Sequence, residues 1–206
     1  MTQYPDIKTA ITLWQESLAG VNARAVSQRG AREYIYHTTG VAEAAAKIAA
    51  KCGMNEEKAY VIGLLHDWGK IQNERTSGKS HFMVGYDKMI NEGWDDAARI
   101  CLTHSFPEAD FDFKDYPSYS LEDLQRAKDL ISKIEYDDYD RLIQLCDIFF
   151  EGTHVISYQR RIACIRQRYN LTPEQTRCLE NKAAENKAYF DAKCSGDIYA
   201  LLGIQE

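Results

Sequence analysis

The chain has 206 residues, of which 45% are hydrophobic and 27% charged, so it can bury a substantial core without disulfides. Its 25 basic and 31 acidic residues give a net charge of −6, which disfavours a long nucleic acid as partner because such binders carry a basic excess. No apolar run approaches about 18 residues and the N-terminus lacks secretory features, so we expect no membrane span and no signal peptide. The six scattered cysteines are interpreted as buried thiols in a reducing cytoplasm.

Most of the chain carries a helical period and no segment alternates strictly, so we predict an all-α protein. His37, Val41, Ala44 and Ile48 share one helical face that ends before Gly53. Further helices are predicted, in chain order, over 55–68, 81–91, 95–103, 121–134, around 142–149, and over 154–169, 173–193 and 198–202. Four of them follow a residue type that favours the N-cap: Asn55, Ser80, Ser120 and Thr172.

We predict one domain over residues 1–206, with a core at about 32–150 and C-terminal helices at 154–204 packed on it. The irregular stretch 105–120 is long enough to be a functional lid. Its aromatic residues can stack a base, shield a site or pack within the loop: Phe111, Phe113, Tyr116 and Tyr119. The acidic run 108–140 and the basic run 152–173 are interpreted as solvated faces. The basic helix predicted at 154–169 could alternatively be a dimer face.

Three histidines occupy positions where a helix is expected to place apolar residues: His37, His66 and His104. Each alone is most simply a hydrogen-bonded core residue. Asp147 shares a stripe with Ile143 and Phe150, and burial of an aspartate among apolar residues is costly without a compensating group. A helix cap or an ion pair with Arg141 would explain this aspartate alone.

The joint pattern predicts a metal site. Six residues with ligand chemistry lie at the inner faces or ends of five successive helices: His37, His66, Asp67, His81, His104 and Asp147. Helical bundles build metal sites from inward side chains of several helices. Imidazole and carboxylate ligands favour iron, manganese, zinc, nickel or cobalt over calcium. Because neighbouring residues on a helix diverge by about 100°, His66 and Asp67 cannot chelate as an i, i+4 pair does. They can converge if the metal lies near the end of their helix, and Trp68-Gly69 supplies a natural end there.

Three separated segments carry a family resemblance. The run LLHDWGK around His66, the context YIYHTTGVAEAAAKIA around His37 and the context RLIQLCDIF around Asp147 resemble the HD superfamily of metal-dependent phosphohydrolases. The resemblance spans about residues 32–150. It implies an all-α HD-domain helical bundle, here with additional N- and C-terminal helices.

The resemblance also implies the ligand set. His37, His66, Asp67 and Asp147 would bind one divalent metal, and His81 and His104 fall where related proteins bind a second, with Asp67 bridging. Iron or manganese is favoured, and zinc, nickel, cobalt or magnesium remain candidates. The layout is similar to bacterial HD hydrolases of dinucleoside polyphosphates and to HD-GYP phosphodiesterases. The GYP motif is absent, as is the Glu-Asp pair that follows the HD motif in (p)ppGpp hydrolases, so we disfavour HD-GYP and (p)ppGpp hydrolase activity.

The predicted activity is hydrolysis of a phosphate ester or anhydride of a nucleotide or small phosphorylated metabolite by a metal-activated water. Asp67 and Lys70 are the predicted catalytic residues. Lys70, Arg32 and Lys79 are candidates to bind the substrate phosphate, although Lys70 can equally be a surface lysine at a helix end. We expect a cytoplasmic monomer or homodimer that binds no membrane.

Two other functions remain open at this stage. The first is a di-iron HD-type oxygenase, because six-ligand HD proteins of that kind share this ligand set. The second is a non-catalytic sensor that binds metal and nucleotide. Lys70 favours hydrolysis over oxygenase chemistry, and the full ligand set disfavours a sensor.

Overall fold

The computed structural model describes residues 3–24, 28–71, 78–108 and 119–205. Within these ranges the chain folds into ten α-helices, which confirms the all-α prediction. They are α1 (Ile7–Arg24), α2 (Gln28–Lys51), α3 (Glu56–Leu65), α4 (His81–Asn91), α5 (Asp95–Thr103), α6 (Leu121–Ile131), α7 (Asp138–Asp147), α8 (Tyr158–Tyr169), α9 (Pro173–Lys193) and α10 (Ile198–Leu202). A 3-10 turn, Trp68–Ile71, follows α3, and strands β1 (Phe150–Glu151) and β2 (His154–Val155) form an antiparallel hairpin between α7 and α8.

Three of the four predicted caps are confirmed. Asn55, Ser120 and Thr172 each accept a hydrogen bond from a backbone N–H in the first turn of the helix that follows. Ser80 occupies the N-cap position of α4, but its hydroxyl makes no cap bond. Its own backbone N–H instead donates to Asp123 Oδ2 at 2.6 Å, which ties the start of α4 to α6.

Several predicted helix boundaries were wrong. The helix predicted over 154–169 begins only at Tyr158, because Gly152 has a φ of +60° and turns the chain into the β hairpin. The helix predicted to reach Trp68 ends at Leu65, and the one predicted to reach Ile134 ends at Ile131. Two-residue strands are too short to produce an alternating pattern, so the hairpin left no sequence signal.

The main hydrophobic core lies among α1, α2, α3, α4, α5, α7 and the C-terminal helices. Ile48, Ile62 and Phe149 are fully buried in it, as are Phe190 of α9 and Ile198 of α10. Burial of each such side chain contributes about 1.5–3 kcal/mol. The C-terminal helices therefore pack on the same core as the helices that carry the predicted ligands.

A second cluster lies beside the predicted site. It joins α4, α5 and α6 through eight buried side chains: Phe82, Met83, Leu102, Phe106, Leu124, Ala127, Ile131 and Leu171. His81 immediately precedes Phe82, and His104 lies between Leu102 and Phe106. Packing of this cluster consequently fixes the backbone from which two predicted ligands project.

The prediction of six thiols was wrong for two cysteines. Cys52, after the end of α2, and Cys194, after the end of α9, form a disulfide across 142 residues of sequence. The other four are free, with Cys101 and Cys146 buried and two half-buried. Within the described part of the chain, no helix is both long and apolar enough to cross a membrane.

Candidate metal centre

The His66-Asp67 pair lies where α3 ends. The last residue of α3 is Leu65, and the 3-10 turn begins at Trp68. His66 and Asp67 therefore lie between the two elements, at the C-terminal end of α3. The turn is held by α1, because Ser17 Oγ donates to the Trp68 carbonyl at 2.8 Å and Trp68 Nε1 donates to the Leu13 carbonyl at 2.8 Å. The expectation that the pair converges at a helix end is confirmed, with the end three residues earlier than predicted.

Gly69 in the LLHDWGK run allows α4 to approach this turn. A Cβ atom at position 69 would overlap with the carbonyl oxygen of His81. Only glycine permits this contact, which brings the first residue of α4 beside Asp67. The glycine of the motif thus has a packing role in placing His81.

One half of the site joins four predicted ligands. His37 Nε2 lies 3.2 Å from His66 Nε2, 3.3 Å from Asp67 Oδ2 and 3.0 Å from Asp147 Oδ1. His66 Nε2 lies 3.5 Å from Asp67 Oδ2 and 3.8 Å from Asp147 Oδ1. Asp147 is the last residue of α7 and contacts these histidines, whereas its alternative partner, Arg141, stacks its guanidinium on the Tyr189 ring.

The other half joins the remaining two ligands to the second oxygen of Asp67. His81 Nε2 and His104 Nε2 lie 3.2 Å apart, and each lies 3.5 Å from Asp67 Oδ1. Ser105 Oγ lies within 3.2 Å of both nitrogens. Asp67 therefore connects the two halves, with Oδ2 facing His37 and His66 and Oδ1 facing His81 and His104.

Two of the imidazoles are oriented by backbone carbonyls. His66 Nδ1 donates to the Gly63 carbonyl at 2.6 Å, and His104 Nδ1 donates to the Ile100 carbonyl at 3.0 Å. In each of the two histidines, the bond assigns the proton to Nδ1 and leaves Nε2 with a lone pair that points into the site. Outer contacts of this kind are typical of metal-binding histidines.

The residues present fit divalent metal ions. Two groups of ligand atoms among the described residues lie close enough to share an ion, His37 with His66 and Asp67, and Asp67 with His81 and His104. Ligands at about 2.0–2.2 Å from one ion are separated by about 3–3.5 Å, close to the distances seen here. Asp67 Oδ1 is buried and accepts no hydrogen bond, a costly condition that a cation would relieve.

At these side chains burial disfavours the charged form, whereas neighbouring groups of opposite charge favour it. Burial lowers the pKa of His66 to about 3, so its imidazole is neutral and able to act as a ligand. Burial also disfavours the charged form of His37, but hydrogen bonds to Asp147 and Asp67 outweigh it and raise the His37 pKa. For Asp67, burial is likewise outweighed, by Lys70 and the imidazoles, and its pKa is held well below the usual value. Both carboxylates of the site are therefore ionised, since the pKa of Asp147 is lowered too.

A buried ionic contact positions α5 against α7. Asp140 is fully buried, forms an ion pair with Arg99 and accepts a hydrogen bond from Thr103 Oγ1 at 2.7 Å. Gln144 Nε2, one turn along α7, donates to the Thr103 and Phe106 carbonyls at 3.0 and 2.7 Å. These bonds fix His104, which follows Thr103, relative to Asp147 at the end of α7.

The predicted substrate-binding residues divide into two groups. Lys70 lies at the site, with Nζ 2.5 Å from Asp67 Oδ2. Arg32 and Lys79 are exposed, and neither is among the described residues that line the two cavities at the site. Arg32 instead lines a separate hollow beside Glu151 and Gly152.

A cavity of about 170 Å³ opens onto both halves of the site, and a second of about 340 Å³ adjoins its His37 side. Residues that sequence reasoning did not select complete the first cavity: Ser105, Gln144, Arg161, Tyr169, Lys182 and Asn186. Arg161 belongs to the basic run interpreted as a solvated face, yet its side chain is only 15% exposed. The sequence signal that could have placed Arg161 at the cavity was its spacing of four residues from Ile165, which also lines the cavity.

The aromatic residues of the irregular stretch are described only in part. Tyr119 lines the first cavity, and its ring centroid lies 6.2 Å from that of His81 and 5.0 Å from that of Phe82. Shielding of the site is therefore compatible with its position. Phe111, Phe113 and Tyr116 lie outside the described residues, as does the larger part of the stretch predicted as a lid, 109–118.

Comparison with known proteins gives one family. The HD domain family model matches residues 34–149, which cover more than half of the chain and contain all six predicted ligands. No curated protein and no solved structure shows significant similarity to the chain. HD domain proteins are mostly metal-dependent hydrolases and bind divalent metals. By its sequence match and its helical fold, this chain belongs to the HD domain family.

Proposed function

We propose that this protein is a dinuclear metal-dependent phosphohydrolase that cleaves a phosphate ester or anhydride of a nucleotide or another small phosphorylated metabolite. The observation that carries the proposal is Asp67, whose two oxygens face two separate histidine pairs. A carboxylate that bridges two ions is a recurring feature of two-metal phosphoryl-transfer sites. Iron or manganese is the proposed metal, with zinc, nickel, cobalt or magnesium as alternatives.

Different residues of the site would bind the metal ions and the substrate. When bound, the ions supply a nucleophilic water of lowered pKa and polarise the phosphoryl group. The four histidines and two aspartates would hold the ions, and the buried Asp67 would balance charge on both. Lys70, at the mouth of both cavities, would contact the substrate phosphate.

The surroundings of the site support a small substrate. The cavity is bordered on one side by α8 and α9 and has space for a compact molecule, whereas a duplex nucleic acid would not enter it. We propose a small phosphorylated partner and no nucleic-acid or membrane partner, with a monomer or homodimer as the assembly.

A cytoplasmic location is also a proposal. Labelling of free thiols in intact cells would test it, because the Cys52–Cys194 disulfide is more typical of oxidising compartments.

The decisive experiment combines metal analysis with a substrate panel. Protein purified without oxygen is analysed for metal, and phosphate release is measured on nucleotides and sugar phosphates with Mn²⁺ or Fe²⁺. We expect two ions per chain and hydrolysis of at least one class, with both lost in Asp67→Ala. Bound iron pairs with every phosphate ester left intact would refute hydrolysis and favour the oxygenase.

A further inference from the structure

One wall of the metal cavity comes from helices outside the family match. The HD domain match ends at residue 149, and α8 and α9 follow it. Three residues of α8 and four of α9 line the cavity: Arg161, Ile165, Tyr169, Leu179, Lys182, Ala183 and Asn186. The family segment thus carries the proposed ligands, whereas this wall lies outside the family match.

Arg161 provides a largely buried positive charge on this wall, where it interacts with the carboxylate of Asp147. It lines both cavities and forms an ion pair with Glu151, but Glu151 is shared with a second guanidinium, that of Arg168. Arg161 Nε is buried and makes no hydrogen bond. A buried guanidinium with an unused donor is a strong site for an anion, and a phosphate oxygen is the acceptor that it fits best.

Asn186 provides an unused acceptor on the same wall. Gln144 Nε2 donates to two backbone carbonyls, so Gln144 Oε1 must be the oxygen that faces Asn186. Asn186 Nδ2 then donates to that oxygen at 3.4 Å, which fixes the orientation of the amide. Asn186 Oδ1 is left buried without a donor on a side chain that is 1% exposed. A buried acceptor without a partner is costly, and a ligand with an O–H or N–H group would satisfy it.

We propose that Arg161 and Asn186 select the substrate: Arg161 binds its phosphoryl group, and Asn186 Oδ1 accepts a hydrogen bond from its organic group. The substrate class is therefore a phosphate ester whose organic group carries a hydroxyl or N–H donor, as sugar phosphates and nucleoside phosphates do. Ile165, Leu179 and Tyr169 of the same wall offer apolar surface to that group. This inference rests on the proposed phosphohydrolase function and adds the substrate class and two binding residues.

The first test measures binding of inorganic phosphate to the metal-loaded protein by calorimetry. Arg161→Gln should weaken the affinity for phosphate by about 10- to 100-fold, because charge-assisted hydrogen bonds are lost. Arg166→Gln removes the same charge from an exposed position of α8 and should leave the affinity unchanged. Metal content and the unfolding midpoint establish that each variant is intact, and Arg161→Lys provides a second variant that keeps the charge. Unchanged affinity in Arg161→Gln would overturn the assignment.

The second test measures kcat/KM on two kinds of ester. Asn186→Leu should lower kcat/KM by about 10-fold or more for ribose 5-phosphate or a nucleoside monophosphate, and should spare p-nitrophenyl phosphate, whose organic group has no donor. It should also leave the affinity for inorganic phosphate unchanged. Asn181→Leu, at an exposed position of α9, is the matched control. Asn186→Ala replaces the leucine variant if the latter does not fold. Equal losses on both kinds of ester, or no loss, would overturn the role of Asn186.

The two proposals fail in different ways. If the metal-loaded protein hydrolyses no phosphate ester, the proposed function falls, while phosphate binding that depends on Arg161 would still support the anion site. If hydrolysis occurs and the Arg161→Gln variant keeps both its phosphate affinity and its KM, the function stands and this inference falls.

Discussion

The ammonium of Lys70 lies 2.5 Å from Asp67 Oδ2, the same oxygen that lies 3.3 Å from His37 Nε2 and 3.5 Å from His66 Nε2. Lys70 and a metal ion bound by these histidines would thus compete for one carboxylate oxygen. Their like charges would also repel, with solvent screening part of the repulsion because the Lys70 side chain is 41% exposed. We therefore expect Lys70 to oppose metal binding and to favour an anionic substrate.

This relationship predicts opposite effects of one substitution. Lys70→Met, which keeps the length of the side chain, should strengthen metal binding by about 10-fold and raise KM for the phosphorylated substrate by a similar factor. Metal affinity is measured by competition with a chelator, and KM by phosphate release. Lys79→Met, at an exposed lysine outside both cavities, should change neither quantity. Weaker metal binding in Lys70→Met would contradict the competition.

The bridging position of Asp67 predicts how many ions each variant keeps. The native chain should bind two ions, Asp147→Asn and His104→Ala one each, and Asp67→Ala none, because Asp67 alone among the described residues faces both histidine pairs. Mass spectrometry of the acid-digested protein measures metal per chain. His154→Ala, an exposed histidine in β2, should keep both ions. An Asp67→Ala variant with two ions would rule out the bridge.

The proposed ligands could be predicted from the sequence because each breaks a local pattern. His37, His66 and Asp147 are polar residues on apolar helical faces, and such positions need a compensating partner. The adjacency of His66 and Asp67 also indicated that they could converge on a metal near the end of their helix. The structure places all six side chains together, although their role as ligands remains a prediction.

The wall formed by α8 and α9 could not be predicted in this way. The four-residue spacing of Arg161 from Ile165 does not by itself show that this arginine is buried, and Asn186 lies on a helix rich in polar residues. Which of their faces covers the cavity depends on how these helices dock onto the core. The pairing of Cys52 with Cys194 depends on the same docking, so sequence spacing gave no indication of it.

The close approach at Gly69 predicts a local effect on one half of the site. Gly69→Ala should push α4 away, because the new methyl group would overlap with the His81 carbonyl. We expect loss of the ion held by His81 and His104 and a loss of stability of about 1–3 kcal/mol. Urea unfolding and metal analysis measure the two effects. Gly30→Ala, a helical position in α2 with no atom within 4 Å of the added carbon, should not lower stability. Full metal content in Gly69→Ala would show that α4 accommodates the added methyl group without displacing His81.

The disulfide predicts that stability depends on the redox state of the solution. It closes a loop of 142 residues, so its loss should lower the free energy of unfolding by about 2–5 kcal/mol. Cys52→Ser should unfold at lower urea concentration than the native chain, and the native chain in dithiothreitol should match the variant. Cys164→Ser, which removes a free half-buried thiol, should unfold like the native chain and keep its sensitivity to dithiothreitol. Because Cys52 and Cys194 line neither cavity, Cys52→Ser should retain its metal. A native chain whose midpoint is the same with and without dithiothreitol would show that the bond makes no such contribution.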